Sequence, residues 1–274
     1  MSDSNDLIVR VWGARGSTPT PGPKTIKYGG NTSCLEVRCG KDIIILDAGT
    51  GIRELGNVLK NELPINVHIL FSHLHWDHIQ GFPFFKPFYA SGCTFNLYAE
   101  RKSGGTLEEL LSAQMKYPYF PVPIPKSLSK LDFHDIYSNQ EIIINDIKIT
   151  AYRANHPDGC LAYRIQYGNK IVVYATDTEH NDELDRNICK ASEDADVLIY
   201  DSNFTEEEYK IYKGWGHSTW NEGMKISRES GAKKLILWHH DPAHDDKFMD
   251  DLEKTVQLSL PNAQAAYEGM KIVI

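Results

Sequence analysis

The sequence predicts an α/β protein in which two β-sheets pack face to face and helices cover their outer faces. Short runs rich in β-branched and aromatic residues recur ten times, which indicates a core dominated by strands. These runs form two groups along the chain, and amphipathic helical patterns accompany each group, as expected for a layered sandwich. No linker rich in Pro, Gly or Ser divides the 274 residues, so we expect one domain, 1–274.

The same patterns place each element along the chain. The predicted strands are 7–12, 34–39, 43–46, 67–71, 94–98, 141–152, 160–174, 197–200, 234–238 and 270–274. The predicted helices are 52–61, 106–115, 182–192, 220–230 and 245–258. We expect Asn181 to cap the third helix and Gly231 to end the fourth.

The composition excludes several classes of protein. A hydrophobic fraction of 41% and a charged fraction of 24% exclude a disordered or fibrous chain. The 29 Lys and Arg residues against 37 Asp and Glu residues give a net charge of −8, which disfavours a surface for long nucleic acids, although it allows a local basic pocket. No apolar run approaches the roughly 18 residues of a membrane span, and the start of the chain is polar, so we expect a soluble protein without an export signal.

The cysteines carry no recognisable site. They are odd in number and scattered, without CxxC spacing, which predicts neither a disulfide framework nor a thiolate zinc site. A reducing compartment, and so a cytoplasmic location, is the expectation. The five are Cys34, Cys39, Cys93, Cys160 and Cys189.

Residues 116–127 read KYPYFPVPIPKS and contain four prolines and three aromatic residues. Because proline lacks an amide hydrogen and has a fixed φ, this segment is excluded from helix interiors and central strands. We expect a stiff, exposed arm. The alternative is a long loop folded against its own domain.

The strongest functional pattern directly follows the predicted strand 67–71. His73, His75, Asp77 and His78 bring three imidazoles and a carboxylate into six residues. Such groups are costly to bury without partners, whereas neutral imidazole and carboxylate are good ligands for zinc and similar ions. In an extended stretch His73 and His75 point the same way and can reach one ion, while a turn would aim the other two at a second ion. A chance surface cluster of histidines is the alternative.

The pattern HxHxDH resembles the hallmark of the metallo-β-lactamase fold, and that resemblance implies a four-layer αββα sandwich. It extends over nearly the whole chain, since WGARGS at 12–17 and DAGTG at 47–51 resemble the opening motifs of the family. Three further motifs follow predicted strands: NHP at 155–157, ATDT at 175–178 and the histidine after 234–238. The resemblance implies that His156 is the third ligand, Asp177 the bridging aspartate and His239 the last ligand.

The resemblance therefore implies two divalent ions per chain, with zinc expected and manganese as the alternative. Such a pair activates a water molecule and binds the oxygens of a phosphate. Three further histidines, His180, His240 and His244, are expected to be structural or to support the ligands. One ion would take His73, His75 and His156, the other Asp77, His78 and His239, with Asp177 between them.

The segment GWGHST at 214–219 resembles the GHST motif of the ribonuclease Z branch, in which the histidine assists phosphodiester cleavage. Asp201 lies where that branch has a short carboxylate motif, although the branch has glutamate there. A carboxylate bound to one imidazole nitrogen leaves the other free to donate a proton. We therefore expect Asp201, His217 and Asp77 to be catalytic. The alternative is that Ser218 or Thr219 caps a helix and His217 is incidental.

Members of the family that process transfer RNA carry a long basic arm between the third ligand histidine and the bridging aspartate. Here the interval from His156 to Asp177 is only 21 residues and is filled by two strand-like runs. Together with the net charge, this predicts a small phosphodiester substrate, and the motifs are similar to those of phosphodiesterases that open 3′,5′-cyclic nucleotides. Two alternatives stay open: a ribonuclease Z-like nuclease and a non-catalytic metal-binding sensor.

Aromatic side chains are the expected contacts to a nucleotide base, because they stack on any base. Tyr119 and Phe120 in the 116–127 arm are the favoured candidates. Phe82, Phe84 and Phe85 follow the histidine motif closely but fit a core equally well. Grouped exposed aromatics also mark interfaces, so the arm predicts a homodimer in which it reaches the active-site mouth of the neighbouring subunit.

Overall fold

The structure is a computed structural model, and it describes residues 6–125 and 128–274. The acidic N-terminal residues 1–5 and the last two residues of the 116–127 arm lie outside the described residues.

The first sheet is built mainly from the N-terminal half of the chain. Its strand order is β14-β1-β2-β3-β4-β5-β6. The pairs from β14 to β3 are antiparallel, and the pairs from β3 to β6 are parallel. The strands are β1 (Leu7–Gly13), β2 (Cys34–Cys39), β3 (Asp42–Leu46), β4 (Asn66–Leu70), β5 (Thr94–Glu100), β6 (Lys130–Ile136) and β14 (Lys271–Val273).

The second sheet comes from the C-terminal half, with the order β13-β12-β11-β10-β9-β8-β7. It is antiparallel from β7 to β10 and parallel from β10 to β13. The strands are β7 (Glu141–Ile144), β8 (Ile147–Ala154), β9 (Cys160–Tyr167), β10 (Lys170–Ala175), β11 (Val197–Asp201), β12 (Leu235–Trp238) and β13 (Ala263–Ala265).

Most helices lie on the outer faces of the two sheets, while the short α2 lies at the edge that carries the candidate site. They are α1 (Ile52–Leu59), α2 (Trp76–Ile79), α3 (Leu107–Gln114), α4 (Arg186–Ala191), α5 (Glu206–Tyr212), α6 (Trp220–Ser230) and α7 (Asp246–Ser259), with short 3₁₀ helices at Phe82–Phe84 and Lys86–Tyr89. The expected cap of α4 at Asn181 is wrong: Asp185 is the N-cap, because its carboxylate accepts hydrogen bonds from the amides of Asn187 and Ile188.

Three apolar clusters separate the layers. The inner cluster joins the facing sides of the sheets and includes Val9 and Leu35 from the first sheet and Tyr163 and Trp238 from the second. A second cluster packs α1 and α3 on the outer face of the first sheet, and a third packs α4, α6 and α7 on the outer face of the second. Burial of these surfaces drives the stacking. The prediction of a four-layer αββα sandwich is confirmed.

Some boundaries differ from the prediction. The run 141–152 is a hairpin, β7–β8, that turns at Asn145 in a left-handed conformation (φ 49°), and 160–174 is the hairpin β9–β10. Apart from the short helix α2 and the 3₁₀ helices, three elements were not predicted: β6, a mostly polar strand; β13, which has three residues; and α5, which buries none of its residues. Each lacks the apolar periodicity on which sequence prediction depends.

Several strands end at the same edge of the sandwich, so the loops that follow them begin close together. Strand β4 in the first sheet and strands β8, β10, β11 and β12 in the second all end there. Carboxyl ends of strands are where α/β sheets usually place their binding residues. In the described part of the chain, no helix is long and apolar enough to cross a membrane.

Candidate metal centre and active site

The sequence-predicted site residues come together at this edge. His73 to His78 follow β4 and run into α2, whose first residue is Trp76. His156 follows β8, Asp177 follows β10, Asp201 ends β11 and His239 follows β12. His217 lies in the loop before α6.

One group of three histidines lies on the outer side of the centre. The ring nitrogens of His73, His75 and His156 lie within 4.8 Å of one another. His75 Nδ1 and His156 Nε2 are 3.2 Å apart. Burial lowers the pKa of all three imidazoles, most strongly for His73. Neutral imidazole is the form that binds a metal ion.

A second group lies deeper and contains Asp77, His78, Asp177 and His239. His239 Nε2 is 3.1 Å from Asp77 Oδ2 and 3.3 Å from His78 Nε2. Burial by itself raises the pKa of Asp77, but the neighbouring histidines hold it well below its usual range. The carboxylates are therefore ionised, as metal ligands must be.

Asp177, a member of the deeper group, also faces the outer group of three histidines. Its Oδ1 is 3.2 Å from His78 Nε2 and 3.3 Å from His239 Nε2, while its Oδ2 is 3.6 Å from His73 Nε2. Asp177 and His239 both have left-handed backbones, with φ of 47° and 62°. Non-glycine residues rarely adopt this conformation, and its cost is typical of functional sites. One carboxylate oxygen thus faces each group.

Asp47 supports the deeper group from behind. This fully buried carboxylate accepts hydrogen bonds from His78 Nδ1, Ser72 Oγ and Tyr174 Oη, each at 2.8 Å, and from the amide of Ser72 at 2.7 Å. A proton held on Nδ1 leaves Nε2 of His78 free and turned towards Asp177. Such a carboxylate–histidine pair fixes the tautomer and orientation of a metal ligand.

The GARGS loop closes the other side of the deeper group. The amide of Ser17 donates to Asp77 Oδ2 at 2.8 Å. A Cβ at position 16 would lie 2.4 Å from the ring of His239, so only glycine fits there. The sequence motif WGARGS therefore packs directly against two predicted ligands.

The residues present fit a metal centre. Among the described residues, His73 Nε2 is buried and has no hydrogen-bond partner, an arrangement that is costly without a ligand. The donors are imidazoles and carboxylates with no cysteine among them, a set suited to divalent ions such as zinc or manganese. The two groups are therefore able to bind divalent metal ions.

His217 and Asp201 form a pair beside the centre. His217 Nδ1 donates to Asp201 Oδ2 at 3.0 Å, and its ring stacks on His239 at 4.8 Å between centroids. Burial by itself would lower the pKa of His217, but the Asp201 carboxylate raises it, to about 9. Thr219 is the N-cap of α6, as the alternative interpretation expects, and His217 is nonetheless paired. These two residues also form, with Asp177 and His239, a third set of grouped donors.

The three histidines expected to be structural or to support the ligands, His180, His240 and His244, lie outside both groups and have partners of their own. His240 Nε2 donates to the carbonyl of Ala266 at 2.8 Å, and His244 Nε2 donates to Glu208 at 2.9 Å. His180 Nδ1 lies 2.9 Å from Ser218 Oγ.

The aromatic side chains considered as substrate contacts differ in their exposure to solvent. Phe82 and Phe85 are fully buried in the outer core of the first sheet, so they are excluded as substrate contacts. Tyr119 is 83% exposed, whereas Phe120 is half-buried and packs edge-on against Phe84 at 5.6 Å. Sequence reasoning missed Trp76, which is 80% exposed although it lies between two predicted ligands in the chain.

Two supporting residues were also missed. Asp47 contacts the ligand His78 directly and Glu179 acts through Gly216, and both partners lie far away in the sequence. The signal available for Asp47 was its place in DAGTG, directly after a buried strand. For Glu179 the only signal was its position two residues after Asp177.

Comparison with known proteins agrees with this geometry. The profile of the family described as "Beta-lactamase superfamily domain" matches residues 43–240. The chain is 21% identical over 248 residues to ribonuclease Z of Bacillus subtilis strain 168, covering 74% of this chain and 80% of that enzyme.

Solved structures show the same fold. The metallo-beta-lactamase fold protein YhfI from Bacillus subtilis superposes with a TM-score of 0.75 at 23% identity, covering 99% of this chain and 100% of that protein. A diphosphatase from the PhnP family superposes with a TM-score of 0.71 at 19% identity, covering 97% of both chains.

Proposed function

This chain belongs to the beta-lactamase superfamily, and we propose that it is a two-metal phosphodiesterase that hydrolyses a small phosphodiester, above all a 3′,5′-cyclic nucleotide. The observation that carries the proposal is Asp177, whose two oxygens face two separate groups of ligand-type side chains. A carboxylate in this position is suited to bridge two divalent ions.

In the proposal, His73, His75 and His156 hold one ion and Asp77, His78 and His239 hold the other, with Asp177 shared. Zinc is the proposed metal, since imidazole predominates among the donors, and manganese is the alternative. When bound, the two ions supply an activated water and neutralise charge on the phosphate. The amide of Ser17 donates a hydrogen bond to one carboxylate oxygen of Asp77 and thereby fixes the orientation of this ligand in the deeper group.

His217 is the proposed general acid. Its Nδ1 is engaged by Asp201, so its Nε2 remains to donate a proton to the leaving oxygen. Asp201 is itself fixed, because its oxygens accept hydrogen bonds from the amides of Thr178 and Asn203. The raised pKa of His217 keeps the ring protonated at neutral pH, as donation requires.

Several features support a small substrate. The interval between His156 and Asp177 holds only β9 and β10 and the turns around them, and the net charge of −8 opposes a long polyanion. A groove of about 710 Å³ opens beside His156, and its lining includes Arg153 and Asn155 as well as the acidic Asp182, Glu183 and Asp185. That volume suits a small-molecule site.

Aromatic residues at the surface, exposed or half-buried, are the proposed contacts to the base. Tyr119 and Phe120 keep this role in the proposal, and Trp76 joins them because its exposed ring adjoins His75 and Asp77 in the chain. A flat aromatic surface stacks on any base, which predicts modest discrimination between bases.

A ribonuclease Z-like nuclease is the second candidate, favoured by the similarity to the Bacillus subtilis enzyme over 74% of this chain. The GHST segment and the Asp201–His217 pair suit either substrate, since both reactions protonate a leaving oxygen. Substrate size is what separates the two candidates.

The test is a panel of substrates given to the metal-free protein after addition of Zn²⁺ or Mn²⁺. It comprises several 3′,5′-cyclic nucleotides, linear diesters and short RNAs. The proposal expects metal-dependent turnover of cyclic nucleotides and little cleavage of RNA. Metal-loaded protein that hydrolyses nothing in the panel would favour the non-catalytic sensor.

A further inference from the structure

A carboxylate outside both ligand groups, Glu179, lies at the junction of three loops of the centre. Its amide donates to the carbonyl of Asn155 at 2.7 Å, and Asn155 Nδ2 donates back to its carbonyl at 2.8 Å. The loop after β10, which carries Asp177, is thereby tied to the loop that carries His156.

The side chain of Glu179 clamps the loop that carries His217. Its Oε1 accepts from the amide of Gly214 at 2.6 Å, and its Oε2 accepts from the amide of Gly216 at 2.9 Å. The hydroxyl of Tyr209 lies 3.3 Å from Glu179 Oε1 and donates its proton to the carbonyl of His180 at 2.6 Å. Hydrogen bonds from main-chain amides to an ionised carboxylate are short and strong, so Glu179 fixes the course of residues 214–217.

Gly216 carries this restraint on to His156. Its carbonyl accepts a hydrogen bond from His156 Nδ1 at 2.8 Å. A Cβ at Gly216 would lie 2.2 Å from that nitrogen, and the residue has a φ of +88°, so this approach requires glycine. With its proton on Nδ1, His156 presents an unprotonated Nε2 towards His75.

We infer that Glu179 is a positioning residue that couples the metal-binding tautomer of His156 to the orientation of His217. The inference rests on the proposed function, in which His156 is a ligand and His217 is the acid. Both oxygens of Glu179 are engaged by amides, so its effect reaches the centre through Gly216. In the deeper ligand group, His78 and Asp77 have separate supports in Asp47 and Ser17, so this group should depend less on the link.

The test is Glu179→Gln, which keeps the shape of the side chain but replaces one acceptor oxygen by a donor that faces an amide. Metal-free protein is titrated with Co²⁺ while visible absorption is recorded, and kcat and KM are measured on the best wild-type substrate. The titration should show two Co²⁺-binding steps, one for each ion. We expect the affinity of one step to weaken by about 10–100-fold and kcat to fall by a similar factor. The second binding step and KM should change less than about twofold.

The control is Glu253→Gln, because Glu253 also accepts a main-chain amide, that of Ala265 at 3.0 Å, but lies on α7 away from the centre. It should behave as wild type. Glu179→Asp keeps the charge but shortens the side chain, so its carboxylate no longer reaches the amides of Gly214 and Gly216 as Glu179 does. It should weaken the same binding step and lower kcat, and it serves if Glu179→Gln does not fold.

Two results would overturn the inference. One is a Glu179→Gln protein whose two binding steps and kcat are all within twofold of wild type. The other is equal weakening of both steps together with a lower melting temperature, which would mean general destabilisation. If the wild type hydrolysed no diester, the proposed function would fail, while the Co²⁺ titration would still decide the role of Glu179.

Discussion

Asp177 holds the two halves of the centre together, because one of its carboxylate oxygens faces each ligand group. Burial by itself raises the pKa of Asp177, but the surrounding histidines hold it well below its usual range. His217 has a different place: it contacts the centre from the side and is paired with Asp201. Substitution of Asp177 and substitution of His217 should therefore affect metal binding and turnover differently.

Asp177→Ala should lose most of the bound metal, since both ions lose a shared ligand. His217→Ala should keep two metal ions per chain and lose turnover by about 10²–10⁴-fold, the usual contribution of a general acid. Elemental analysis of the purified variants together with initial rates checks both. A His217→Ala protein without metal would make His217 a ligand, as the third donor set that contains it would allow.

Asp201→Asn should bind metal normally and turn over more slowly, by about 10–100-fold. The Asp201 carboxylate raises the pKa of His217, so its removal should lower that pKa, and the acid should lose its proton at a lower pH. The alkaline limb of the kcat–pH profile should accordingly move to lower pH in the variant. An unmoved limb would show that another group donates the proton.

Sequence prediction was most informative where ligands follow one another in the chain. His73, His75, Asp77 and His78 can be recognised as a group because a single strand end carries all four. Asp47 and Glu179 could not be recognised in this way, because their meaning depends on partners such as Tyr174 and Gly216 that only the fold brings near.

At the scale of elements, the missed pieces share a physical cause. Strand β6 extends the first sheet with mostly half-exposed polar residues, and β13 is too short to show alternation. Helix α5 buries nothing, so its only sequence signal is the capping box formed by Thr205 and Glu208. The cap of α4 was misplaced because Asn181 and Asp185 are both good capping residues, and only the hydrogen bonds distinguish them.

The arm after α3 carries a prediction of its own. Tyr117 and Tyr119 are 92% and 83% exposed, an unfavourable arrangement for a monomer in water. We therefore predict a homodimer in which the arm packs against the neighbouring subunit near its active-site mouth. Replacing both tyrosines by serine should shift the protein towards monomer in light scattering and raise KM.

Tyr137→Ser is the matched control for the arm, because Tyr137 is also exposed but lies after β6, outside the arm. It should leave the molecular mass and the kinetics unchanged. A wild-type protein that is monomeric at micromolar concentration, with kinetics unaffected by deletion of 117–125, would rule out this role of the arm.

For the whole molecule, the two groups of strand patterns were sufficient to predict the layered architecture, and the profile match to the superfamily confirms the family and its hydrolase class. The sequence is less informative about substrate, because substrate size is decided by surfaces around a metal centre that many members of the fold share. The absence of a long insertion between His156 and Asp177 is the feature that bears on it.

The central claim is that two metal ions serve the hydrolysis of a small phosphodiester, and the most direct measurement compares a 3′,5′-cyclic mononucleotide with precursor transfer RNA. Both are given to the same metal-loaded protein over a series of salt concentrations. We predict turnover of the cyclic nucleotide that varies by about fourfold or less between roughly 50 and 200 mM salt, since few phosphates are contacted. Efficient cleavage of the precursor RNA, with no turnover of any cyclic nucleotide, would contradict this account and establish the nuclease in its place.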